Sequence, residues 1–430
     1  MVFVIKHLPF FLTLILLLTT ACSDGRSSQN EQDDEPITIK VSWWGSQPRH
    51  EYTTRMIELY EQEHPNINIE PVFADWSDYW KNLAPMAAGN QLPDVIQMDL
   101  AYLAEYGEKG MLEDLTPYIE EGIIDTSAIE KSVISSGKIK DKLFGFTIGI
   151  NVLSVISNDH LLNQAGVAID EDEWSWDEME HLTLEIKRKT GVYGSNAMNP
   201  PDVFFPYYLR TKGEQFYNDE GTGLAYSDDQ LFIDYFNRQL KMIDGGAIPT
   251  PDESEVVRGM EYDFIVQGTS ALTWNYSNQY AGFDQLTDAP LTLHLPPEHL
   301  NNEALFLKPS MLFSIPKSSK VKEEAAKFID FFVNNVEANK IMKAERGVPV
   351  SSKVSEEMKS VLTEGEVKML DYVNRASKMT NETYPPDPEG SSHVMEVLKE
   401  ISNQILFKKI TPEEGAKMFR EQAEEILKNR

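Results

Sequence analysis

Between Ile37 and Met98 the apolar residues switch repeatedly between two spacings, and this switching narrows the fold more than any other feature of the chain. Ile37, Ile39, Val41 and Trp43 alternate with Thr38, Lys40 and Ser42, the period of a strand. After Pro48, Tyr52, Met56, Leu59 and Tyr60 recur on one helical face, and Pro65 ends the pattern. Ile67, Ile69 and Val72 suggest a second strand, Trp76 to Leu83 the start of a helix, and Asp94 to Met98 a third strand. Strand, helix, strand, helix, strand in this order predicts right-handed crossovers and a parallel sheet, hence an α/β fold. In such sheets ligands sit beyond the carboxyl ends of the strands.

The middle of the chain reads differently. Lys142 to Ile156 is one β-rich run interrupted by Gly145 and Gly149, long enough to pass from one sheet into another. Residues 159–290 are rich in helical patterns and aromatic side chains, with turn signals at Gly213, Gly221-Thr222-Gly223 and Gly245-Gly246. Strand patterns return at Leu291 to Leu295 and Met311 to Ile315. Helical faces then follow in Ala325, Phe328 and Phe332, and in Val394, Leu398, Ile401 and Ile405. Thr411-Pro412-Glu413-Glu414 places a cap residue, a first-turn proline and a capping-box glutamate in register for a last helix.

The amino end addresses location rather than fold. Lys6 gives a positive start, Phe10 to Leu18 a short apolar segment, and Thr19-Thr20-Ala21 a small-residue cleavage site before Cys22, the only cysteine among 430 residues. Residues 1–21 therefore read as a lipoprotein signal peptide, and 22–36 as a solvated tether with little to bury. Such a signal prefers leucine three residues before its cysteine, and here that position is Thr19. Acylation of Cys22 would hold the domain on the extracellular face of the cell membrane. The formal net charge of -30 argues against nucleic acid and against adhesion to anionic headgroups, which leaves the anchor to do the localising.

Several short runs together resemble extracellular solute-binding protein family 1 of sugar ABC importers. They are Val41 to Gly45, His64 to Ile67, Ala87 to Val95, Trp174 to Glu178, Lys308 to Met311 and Glu345 to Val350. Gln47 to His50 and Pro206 to Gly213 look most like the lipoproteins of Bacillus-type bacteria that bind rhamnogalacturonan or pectin oligosaccharides. The resemblance implies two α/β lobes of the periplasmic-binding-protein kind with a hinge and an interlobe cleft. Lobe one would comprise 37–150 and 291–345, and lobe two 151–290 and 349–430, with hinges near 145–151, 290–295 and 346–349. It further implies an oligosaccharide ligand, partnership with ABC permease subunits and their ATPase, a monomer, and no cofactor, metal or catalysis.

A sugar offers apolar C–H faces and a rim of hydroxyls, so its receptor needs flat aromatic platforms beside planar polar groups. Trp43, Trp44 and Gln47 follow the first strand, and Trp274, Asn275 and Tyr276 follow a strand-like stretch. Strand alternation sends one of Trp43 and Trp44 inward without saying which. In the resemblance Trp274 and Tyr276 stack on sugar rings and Asn151 bonds hydroxyls at a crossing. Trp76, Tyr208 and Asp99 complete the set; Asp99 reads equally well as a helix cap, and Trp76 as packing. A ligand carrying uronate groups would need a cation, for which Arg49, Arg210 and Lys308 stand out, with Lys212 also near. The competing reading is a secreted glycoside hydrolase or lyase. Paired carboxylates carry no weight among 69 acidic residues, and the eight histidines include no His-x-x-x-His pair.

Overall fold

Two sheets organise the chain in the computed structural model, which describes residues 36–196, 198, 201–255, 257, 259–301, 304–380 and 387–429. The signal segment and Cys22 lie outside them. The strands in chain order are β1 (Ile37–Trp44), β2 (Ile67–Ala74), β3 (Val95–Met98), β4 (Lys138–Ile139), β5 (Lys142–Leu143), β6 (Phe146–Asn151), β7 (Leu153–Asn158), β8 (Tyr193–Ser195), β9 (Ser270–Tyr276), β10 (Leu291–His294) and β11 (Lys308–Ser314). One sheet has the order β2-β1-β3-β11-β6, the other β10-β7-β9-β8, and β4 and β5 form a small ribbon. β1 runs parallel to β2 and β3, as right-handed crossovers require, while β11 runs antiparallel to β3 and β6.

Each sheet is covered by helices, which gives the mixed α/β architecture of a two-lobed binding protein. β6 and β7 are buried at every position, so neither can show the alternation of a half-exposed strand. Only Val152 separates them, and there the chain passes from the first sheet to the second. One apolar core packs around the five-stranded sheet and continues beneath the crossings to Leu291, Leu293 and Tyr280. A second gathers Trp176, Phe205, Phe232, Tyr235 and Trp274 with the carboxyl-terminal helices. Each such side chain contributes roughly 1.5–3 kcal/mol by leaving water.

Two expected boundaries move. β10 pairs antiparallel with β7 in the second sheet rather than opening a return to lobe one, because Leu291 and Leu293 alternate inward beside Ile156 and Asn158. Residues 304 and 306 still pack in the second core, so the return to the first sheet comes with Lys308. The last crossing is also later than Pro349. Val350, Val354 and Met358 remain in the first core, and the helix Ser352–Met358 packs on the helices Lys322–Asn334 and Val336–Met342. The next helix, Glu364–Ser377, packs on Tyr280–Leu286 and β10.

Candidate functional site

The site forms where β6, β9 and β11 meet at the crossings. Lys308, first residue of β11, stands opposite Asn151, last residue of β6, and Leu153 of β7 stands opposite Tyr276 of β9. The ammonium of Lys308 lies over the Tyr276 ring, 4.7 Å from its centroid, so a lobe-one cation meets a lobe-two aromatic. Tyr276, with Asp99 and Asp387 nearby, holds the Lys308 ammonium above its ordinary pKa despite burial. Burial raises the Tyr276 phenol, and Lys308 opposes that shift. Asn151 is buried, and its side-chain oxygen has no hydrogen-bond partner among the described residues.

The lobe-one wall is aromatic. Ser42 and Trp44 share one face of β1, where Trp44 meets Trp76 edge-on at 4.9 Å, Tyr79 at 5.3 Å and Trp80 at 5.6 Å. Trp80 stacks on Tyr102 with centroids 3.8 Å apart. Trp76 is 45% exposed at the start of the helix Trp76–Ala88, which Asp75 caps by accepting from the Asp78 N–H. Asp99 caps the next helix, Leu100–Glu108, by accepting from the Ala101 N–H at 3.0 Å. It thus serves as a cap, and its charge also acts on Lys308.

The lobe-two wall is a groove of about 270 Å³ at the carboxyl ends of β8 and β9, lined by Asn196, Val203, Phe264, Trp274, Asn275 and Tyr276 among others. Asn275 donates to Thr273 Oγ1 at 3.1 Å, and its backbone carbonyl accepts from Ser154. Asp202, in the first turn of the helix Pro201–Thr211, and Asp387 both act electrostatically on Tyr276 and Tyr217. One Asp202 oxygen pairs with Lys399 at 3.1 Å; the other, like the Tyr217 hydroxyl, is buried with no partner among the described residues. Asp202, Tyr217 and Asp387 are not among the expected ligand groups. The available signals were Pro-Asp at a helix start and an aspartate in a proline-rich loop.

Several expected ligand groups stand elsewhere. Trp43 is fully buried on the other face of β1, donating to His50 Nδ1 at 3.1 Å and packing on Phe73 at 5.2 Å. Gln47 lies on that same side, bonded to Glu51, in a groove with His50 and Phe73. Trp274 forms the floor of the lobe-two groove but is only 2% exposed, with one face stacked on Trp176 at 5.7 Å. It cannot offer an open platform. Tyr208 packs between Trp176 and Tyr235 in the second core. Arg210 is at the far end of its helix from Asp202, donating to the Ala304 carbonyl and to Gln215. Arg49 makes a two-pronged pair with Glu345 at 3.1 and 2.9 Å, so its fork already holds a carboxylate. Lys212 pairs with Glu298 at 2.9 Å. Of the expected cations, Lys308 is the one placed at the crossing.

Two lobes, chain crossings between them and a polar, aromatic-walled site at those crossings define the architecture of a solute-binding protein. Residues 44–339, more than half of the chain, match the model of the bacterial extracellular solute-binding protein family, and the chain belongs to that family. Among solved structures, an extracellular solute-binding protein family 1 member from Alicyclobacillus acidocaldarius is 27% identical with a TM-score of 0.76, covering 92% of this chain and 99% of its own. A periplasmic oligogalacturonide-binding protein from Yersinia enterocolitica, solved with saturated digalacturonic acid, has the same fold at 23% identity and a TM-score of 0.75, covering 91% and 99%. An uncharacterized lipoprotein in the oleD 5' region of Streptomyces antibioticus is 26% identical over 191 residues, 43% of this chain and 40% of that protein's length.

Proposed function

We propose that the protein is the substrate-binding lipoprotein of an ABC importer, anchored through Cys22, that captures plant cell-wall oligosaccharides, derived from rhamnogalacturonan or pectin and carrying uronate groups, and passes them unchanged to a membrane permease. The observation that carries this reading is Lys308 of lobe one lying over the ring of Tyr276 of lobe two, within the electrostatic reach of Asp99. A cation and a ring meet there, with Asn275 beside Tyr276 in the lobe-two groove and the exposed Trp76 on the aromatic face of lobe one. Together they match a sugar ring, its hydroxyls and one uronate carboxylate. Arg49 and Arg210 are otherwise engaged, so an acid-reading role falls to Lys308. The digalacturonic acid in the Yersinia structure supports the class of ligand, and the lipoprotein relative supports the anchor. Family membership favours release of the ligand unchanged over hydrolysis.

Calorimetry with digalacturonic acid, rhamnogalacturonan fragments and neutral galactobiose tests the reading. Saturable heat without new products on chromatography is the expected result, and cleavage would establish the hydrolase or lyase instead. Lys308→Gln should weaken the acidic probes about tenfold to a hundredfold and the neutral one far less. Equal losses for both classes would refute a carboxylate-reading lysine.

A further inference from the structure

Glu345 to Val350 is a conspicuous run of the sequence with no place in the site just described, yet its side chains and backbone connect the wall of that site to its floor. Arg346 is fully buried. Its Nε donates to the Tyr52 hydroxyl and its Nη2 to Thr53 Oγ1, each at 2.9 Å, and its Nη1 donates to Gln97 Oε1. The Tyr52 hydroxyl donates in turn to Glu345, which Arg49 clasps from the other side. Gln97 extends the network to the wall: its backbone carbonyl accepts from the Tyr79 hydroxyl at 2.8 Å, and its side-chain amide donates to the Trp44 carbonyl at 3.5 Å.

The backbone of the same segment holds the floor. The Arg346 carbonyl accepts from the Ser310 hydroxyl, two residues beyond Lys308. Gly347 has φ +99, and a side chain there would press on the Ile150 backbone and the Asn151 oxygen, so only glycine lets the two segments approach. Val348 and Ile150 then exchange two backbone hydrogen bonds of 2.9 Å, one residue before Asn151. Asn151 and Lys308 therefore both adjoin residues held by 346–348, while Trp44 and Tyr79 are linked to the Arg346 side chain through Gln97.

We infer that Arg346 is a positioning residue of the binding site: without touching ligand, its guanidinium fixes the aromatic wall against the Asn151–Lys308 floor. A buried planar fork suits this role because it holds three acceptors at fixed angles, two on the helix Gln47–Glu63 and one on β3, which a lysine cannot do. The inference rests on the solute-binding reading of that site.

Arg346→Lys keeps the charge and loses the fork, and Tyr52→Phe, the milder variant, removes only the link between Arg346 and Glu345. Two measurements on the full mature chain decide the matter. The first is hydrogen exchange at the Ile150 and Val348 amides without ligand, compared with thermal unfolding of the same samples. Exchange at these two amides should quicken by about three- to thirtyfold while the unfolding midpoint of Tyr52→Phe stays near wild type. The second is calorimetry with digalacturonic acid and galactobiose, where affinity for whichever probe binds the wild type should fall by a similar factor. Unchanged exchange in both variants overturns the inference, as does an affinity that falls only in step with stability. Absence of any heat with the wild type overturns the oligosaccharide reading alone, and the exchange measurement still decides the role of Arg346.

Discussion

Adjacent tryptophans at the end of β1 do different work because a strand points successive side chains to opposite faces. Trp43 is sealed against His50 and Phe73, whereas Trp44 backs the ring cluster from which Trp76 emerges. Removing a buried indole leaves a large cavity, so Trp44→Ala should cost about 3–5 kcal/mol in urea unfolding. Trp76→Ala should cost less than about 1 kcal/mol yet weaken oligosaccharide binding by about threefold to tenfold in calorimetry. Equal stability losses for the two would place both in packing. The cations divide by geometry in the same way. An arginine with a carboxylate already in its fork, such as Arg49, has little left to offer a ligand.

At the scale of elements, Glu171 shows how a loop joins separate pieces of lobe two. Its carboxylate accepts from Arg375 of the helix Glu364–Ser377 at 2.8 and 3.2 Å and from the Leu295 N–H at 3.0 Å, and it lies 3.5 Å from His294. Burial alone would raise its pKa, but His294, Arg375 and the Leu295 N–H outweigh burial and hold it near about 2. The folded pKa thus lies below the unfolded value of 4.5, and the native state binds fewer protons. The contribution is present above about pH 4.5 and is lost as pH falls toward about 2. Glu171→Gln should therefore destabilise by on the order of 1–2 kcal/mol at pH 7, after allowance for solvent screening, and by less than half as much at pH 3. A deficit that stays constant over this range would contradict an ionic tie.

At the scale of the whole molecule, the candidate site lies where the two sheets meet, so a ligand held there should favour whichever arrangement lets both sides touch it. Contacts already span the crossings: besides Lys308 over Tyr276, Lys109 reaches Glu389 at 3.9 Å. A ligand bound only by the native state raises stability by about 2.7 kcal/mol at a hundred times its dissociation constant. A cell-wall fragment that binds should therefore lift the unfolding midpoint by several degrees, and Lys308→Gln should remove most of that gain for acidic fragments. A full gain in the variant would move the acid-reading group elsewhere.

Local interactions were legible in the sequence because they need only neighbours along the chain. The alternation in β1, the helix after Pro48, the switch of sheet within Lys142 to Ile156, and the capping box of Thr411 with Glu414 all depend on residues a few positions apart. Asp99 could be named as a cap for the same reason. Pairing between distant segments was decided only by the tertiary structure. The side of β1 on which Trp44 finds Trp76, the sheet that β10 joins, the carboxylate that occupies Arg49 and the acidic neighbours of Lys308 all follow from residues dozens to hundreds of positions apart. Backbone periodicity acts within an element and leaves a visible rhythm, whereas a site at the meeting of two sheets depends on how those elements pack, and packing leaves no rhythm in the order of residues.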